Sequence, residues 1–63
     1  MSKVVIEIKT DNNAFEDDNM EHELCRILGL VIYYIQQYQS YDQPKVLYDI
    51  NGGRVGLYQF MED

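Results

Sequence analysis

The sequence predicts an α+β fold, one amphipathic helix packed on a three-stranded sheet in the order β-α-β-β. Three observations carry this reading. An apolar period of two opens the chain, a helical period fills its middle, and two short alternating stretches close it around Asn51-Gly52-Gly53.

Residues 3–9 (KVVIEIK) alternate, with Val4, Ile6 and Ile8 on one side and Lys3, Val5, Glu7 and Lys9 on the other, and β-branched residues dominate. This is the first strand. The acidic, Asn-rich residues 10–19 read as a loop leading into a helix N-terminus, with Phe15 folding back onto the core. Asp17, Asp18 or Asn19 can cap the helix, and Asp18 with Glu21 resembles a capping box. Over residues 20–41 Met20, Leu24, Ile27, Leu28, Val31, Ile35 and Tyr38 fall on one stripe of a helix. The helix should stop between Gln39 and Asp42, because Pro44 disfavours a helical predecessor.

Residues 45–50 and 54–60 then form a hairpin. A two-residue Asn51-Gly52 loop sets Tyr48 opposite Val55, Val46 opposite Leu57 and Asp49 opposite Arg54. Placing the third strand between the other two makes both neighbouring pairs antiparallel and is the favoured order; the alternative puts the second strand in the middle. The expected core is Val4, Ile6, Ile8, Leu24, Ile27, Leu28, Val31, Ile35, Val46, Tyr48, Ile50, Val55 and Leu57, and the uncovered sheet face should show Val5, Leu47, Tyr58 and Phe60 among charges.

Sixty-three residues suit one domain with a marginal core, so association would help it. Eleven acidic against five basic side chains give a net charge of −6, which disfavours direct nucleic-acid binding and favours basic partner surfaces. A lone cysteine and the lack of a signal-like start imply a cytoplasmic protein, and the longest apolar run, residues 27–35, is about half of a membrane span.

No catalytic or cofactor pattern stands out. His22 and Cys25 are three apart on the helix, but zinc needs further ligands and the flanking Glu21 and Glu23 oppose a thiolate. The carboxylates Asp11, Glu16, Asp17 and Asp18 lack the spacing of a calcium loop. We therefore expect neither an enzyme nor a bound metal or cofactor. Interaction is the better expectation. Surplus apolar surface on the helix at Gly29, Leu30, Ile32, Tyr33 and Gln36, the ring of Tyr41, and the sheet residues Leu47, Tyr58 and Phe60 are candidate contacts, together with the acidic loop. A mid-helix glycine costs on the order of 1 kcal/mol against alanine, so Gly29 suggests close approach by another element. A homodimer through the helix back or the open sheet face is the expected state.

The segments VVIEIKTDNNAFED, ELCRIL and LYDINGGRVG resemble those of a mostly uncharacterised group of small proteins encoded by tailed bacteriophages and prophages. Their shared pattern is T-x-N-x-A-F, E-L-x-R-I-L and D-x-N-G-x-x-V-G; the apolar, tyrosine-rich continuation LVIYYIQQYQSY departs from it. The resemblance implies fold and phage origin but no activity. By analogy of class it implies a cytoplasmic protein that binds and inhibits a host defence protein or nuclease through a basic surface, in some such proteins by mimicking the charge of DNA. A self-associating structural or assembly accessory is the alternative.

Overall fold

The computed structural model describes residues 2–37 and 43–62. Strand β1 spans Ser2–Ile8, a 3-10 turn spans Asn13–Phe15, helix α1 spans Asn19–Gln37, β2 spans Lys45–Tyr48 and β3 spans Arg54–Glu62. The expected helix end at residues 39–42, and Tyr38 and Tyr41, lie largely or wholly outside the described residues. The sheet is antiparallel throughout in the order β1-β3-β2, with the third strand central as expected.

Chain connectivity explains the turn before the helix. Asn12 closes it with its side-chain oxygen on the Ala14 amide at 3.0 Å, and Asn19 N donates to Glu16 O at 3.1 Å. Asp17 lies between them at φ 57, a left-handed conformation that Asp tolerates better than most side chains. This sharp reversal tucks Ala14 and Phe15 under the helix. Both are buried, as expected for Phe15, and they join Ile27, Val31, Leu47, Val55 and Tyr58 in the core.

The hairpin differs from expectation, and the difference propagates. Gly52 N donates to Asp49 O, Asp49 N donates to Gly53 O, and Gly52 has φ 86, so the loop is Ile50-Asn51-Gly52 closed by Asp49 and Gly53. This is the three-residue connection in which a type I turn is followed by a left-handed residue. Tyr48 then pairs with Arg54, while Leu47 pairs with Gly56 and Val46 with Leu57, leaving Val55 as the extra residue of a bulge. The Val46–Leu57 pair is as expected; Tyr48–Val55 and Asp49–Arg54 are not formed.

The core face is corrected accordingly. Leu47 and Tyr58, expected on the open side, are buried against the helix, and Phe60 is half-buried against the same core. Tyr48 and Ile50, expected inside, are 53% and 69% exposed, while Val46 and Leu57 are only half-buried. A period of two makes every strand face an all-or-none choice, and the anchoring of Asp49 described below fixes it for β2. Val4 and Ile6 pair with Phe60 and Tyr58 and so share the helix side, as expected. They nevertheless remain 47% and 44% exposed. Leu28, another expected core residue, is also exposed. Leu24 and Ile35 pack against the core from partly buried positions, as does Ile8.

Candidate functional site

The most constrained polar groups join the helix to the hairpin. Glu23 stands one turn before Ile27 and two before Val31, so helical geometry points its carboxylate inward with them. It is 3% exposed. Its oxygens accept from Arg26 Nε at 2.6 Å, Arg26 Nη2 at 3.1 Å and the Ile50 amide at 2.8 Å. Arg26 Nη2 also donates to Tyr48 O at 3.2 Å. The Arg26 hydrogen bonds, more than any other cause, hold the Glu23 carboxyl below its ordinary range, with the Ile50 amide adding to them and burial opposing both. Glu23 in turn raises the Arg26 guanidinium.

Asp49 is buried on the neighbouring side of the hairpin. Its Oδ1 accepts from the Asn51 and Gly53 amides at 2.9 and 2.8 Å, and its Oδ2 accepts from Asn12 Nδ2 at 2.8 Å. One carboxylate thus ties the hairpin to the loop after β1. Every buried polar side-chain atom among the described residues has a partner, so the constellation is closed on itself and structural in character. Sequence reading gave Glu23 no structural role beyond opposing a Cys25 thiolate and placed Asp49 in a cross-strand ion pair. A usable signal existed in the heptad-like spacing of Glu23 with Ile27 and Val31, and in Arg26 three residues on.

The expected contact residues divide into groups. Asp11, Glu16, Asp17 and Asp18 are all exposed, ringing the buried Ala14-Phe15 turn. On the helix Gly29, Ile32, Tyr33 and Gln36 are exposed and Leu30 is half-buried. The rings of Tyr33 and Tyr34 meet edge to face at 5.9 Å between centroids. Leu47 and Tyr58 leave the candidate set, since the core holds them. Phe60 is partly withdrawn; its ring lies 6.4 Å from that of Tyr58. Tyr41 is outside the described residues. His22 and Cys25 are both exposed, and among the described residues no group of three or more His, Cys, Asp or Glu side chains is placed to hold a metal. No described helix is long and apolar enough to cross a membrane.

Among the described residues nothing lies within 4 Å of a β-carbon placed on Gly29, so their packing does not require glycine there. Gly29→Ala is expected to stabilise the monomeric fold by about 0.5–1 kcal/mol through helix propensity. Thermal unfolding at low protein concentration checks this, and a destabilised variant would mean that the open space is not available in solution.

No family model, curated protein or solved structure matches this chain.

Proposed function

We propose that this chain is a non-enzymatic protein-interaction module that offers an acidic knob to a basic surface of its partner. The observation that carries the reading is the 11–18 segment, where Asp11, Glu16, Asp17 and Asp18 are all exposed around a turn whose own Ala14 and Phe15 are buried. Anchoring holds the charges in place before binding, which reduces the ordering cost of association. A net charge of −6 adds long-range attraction to a cationic partner. In its finer form the proposal is a phage-encoded cytoplasmic inhibitor that occludes the basic surface of a host nuclease or other defence protein. Its support there is the resemblance in the T-x-N-x-A-F, E-L-x-R-I-L and D-x-N-G-x-x-V-G segments.

Affinity capture from bacterial lysate tests it, with the wild type and a variant carrying Asp11→Asn, Glu16→Gln, Asp17→Asn and Asp18→Asn compared at low and moderate salt. We expect the wild type to retain one or more basic proteins that the variant loses by about tenfold, as removal of several close charge pairs requires. Equal recovery by both proteins, or recovery of none, overturns the reading.

A second reading, self-association, is favoured by a separate observation. Val4 and Ile6 on the helix side of the edge strand, with Leu28 and Ile32 on α1, leave large apolar side chains in contact with solvent.

A further inference from the structure

Among the described residues β1 is an edge strand, with β3 on one side only. Lys9 N donates to Val55 O at 2.8 Å, and these two residues continue the register in which Ile8 faces Gly56 and Glu7 faces Leu57. In an antiparallel ladder such residues alternate with ones whose amide and carbonyl point the other way. The odd-numbered residues of β1 therefore bond β3, and the backbone groups of Ser2, Val4, Ile6 and Ile8 point outward from the sheet. Seven residues of extended chain with outward backbone groups form a template for strand addition, which proteins commonly disarm with inward charges, proline or a covering element. Here the helix side of that edge carries the half-exposed Val4 and Ile6 instead.

We infer that the occupant of this edge is a second copy of the chain, whose β1 pairs antiparallel with the first about a two-fold axis at Val5. The inference deepens the self-association reading and is independent of the acidic knob. Three requirements select the register. Outward groups must meet outward groups, so Val4 lies opposite Ile6 of the second copy and Ser2 opposite its Ile8. The apolar pair then falls on the helix side of both sheets. On the other side Lys3 lies opposite Glu7 of the second copy, and by symmetry Glu7 lies opposite its Lys3. These are positions without ladder bonds, where the Cα atoms approach to about 4.5 Å and side chains interact most closely.

No neighbouring register does as well. A slip of one residue sets outward groups against side chains of the wrong parity and sends Val4 and Ile6 to opposite faces. A slip of two places Lys3 against either Val5 or Lys9, losing the charge match or reversing it. The centred register also pairs every outward amide and carbonyl from Ser2 to Ile8. Because β1 runs into the acidic segment, it sends residues 11–18 of the two copies to opposite ends of the shared sheet, so that the strongest like charges stay apart.

On the helix, Glu23 and Arg26 lie on the flank that reaches Tyr48 and Ile50 of the hairpin. Helical spacing puts Leu28 and Ile32 on the other flank of α1, where both are exposed. An isologous contact of this kind buries the same patch on both subunits.

Charge reversal tests the register directly. Lys3→Glu alone sets Glu against Glu twice across the axis, and Glu7→Lys alone sets Lys against Lys twice. We expect each to raise the dimer dissociation constant tenfold or more in sedimentation equilibrium. Mixing the two variants in equal amounts is expected to restore wild-type affinity as a heterodimer, since both cross-axis pairs are then opposite in charge; the double variant should recover it as a homodimer. Ile6→Pro removes an outward donor without touching the β1–β3 bonds and is expected to yield a folded monomer, with folding followed by far-ultraviolet circular dichroism. A wild-type monomer at about 100 μM, a concentration at which micromolar pairing would be nearly complete, overturns both the inference and the self-association reading. A wild-type dimer that the three single variants leave unchanged, or charge variants that the mixture does not rescue, overturns the β1 interface while self-association stands.

Discussion

Gly56→Ala is expected to remove most of the stability of the fold. The bulge at Val55 turns the next position so that a β-carbon on Gly56 would be driven into the Glu7 carbonyl oxygen, with the Glu7 carbonyl carbon at 2.7 Å and Ile8 Cα at 3.1 Å. These are backbone atoms of the adjoining strand. A flexible side chain could swing aside at little cost, but β1 can relieve this clash only by moving away from β3 or by breaking the ladder between them. Overpacking of a well-packed site typically costs about 1–3 kcal/mol, and a clash against main chain belongs at or above the top of that range. Small domains hold only about 0.05–0.15 kcal/mol per residue, so the expected loss is a large share of the total. Urea unfolding followed by circular dichroism checks this. The variant should show a midpoint far below that of the wild type or no cooperative transition, and an unchanged midpoint would mean that the two strands do not approach so closely. Gly29→Ala serves as the control, since it adds the same methyl group where nothing lies within 4 Å.

The contrast between these two glycines shows what a sequence of this length can disclose. Gly29 attracts notice because it interrupts a helical period, yet among the described residues it has no neighbour to accommodate. Gly56 sits inconspicuously inside an alternating stretch, and its role depends on the bulge at the preceding Val55. Elements and their order were legible because each has a local cause: alternation of β-branched residues for β1, helical spacing for α1, the Asn-Gly-Gly turn for the hairpin. The preference for antiparallel neighbours favoured β3 in the centre, where the structure has it, but left β2 in the centre as an alternative. The facing of β2 and the second half of β3 was not legible, because Val46 with Leu57 and Leu47 with Tyr58 offer two apolar faces of similar quality. A loop of three residues instead of two, and one bulged valine, decide between them. Polar burial was equally hidden. Glu23 and Asp49 look like ordinary surface acids until the hairpin amides and Asn12 are brought to them. Of the expected contact residues, those whose exposure follows from helical position or from the charged loop remain candidates, whereas Leu47 and Tyr58 depended on the parity of the sheet and moved inside with it.

Glu23→Gln is expected to destabilise the protein by about 1–3 kcal/mol near pH 7, the range for a charge-assisted hydrogen-bond network that loses its charge. Arg26 keeps a side-chain exposure of 31%, so water can partly solvate its released charge, which places the cost below that of stranding a fully buried ion. The amide NH2 of glutamine would also meet Arg26 donor to donor, so one of the bonds at 2.6 and 3.1 Å is lost in either orientation of the amide, and the Ile50 bond is lost too when the NH2 takes the Oε2 position. The dependence on pH separates this account from a simple packing defect. Arg26 hydrogen bonding holds the folded Glu23 carboxyl below its ordinary value of 4.5, and a carboxyl depressed in the folded state contributes stability above its unfolded pKa. That contribution is lost as pH falls through the folded value, where both states bind the proton. The stability difference between wild type and Glu23→Gln should therefore be widest at pH 6–7 and shrink on acidification below about pH 4.5. Carboxylates common to both chains cancel in the difference, so the wild-type curve alone is insufficient and paired urea titrations at several pH values are required. A gap of the same size at pH 3 and pH 7 would show that the helix and hairpin are joined by packing at this position and not by the Glu23 charge.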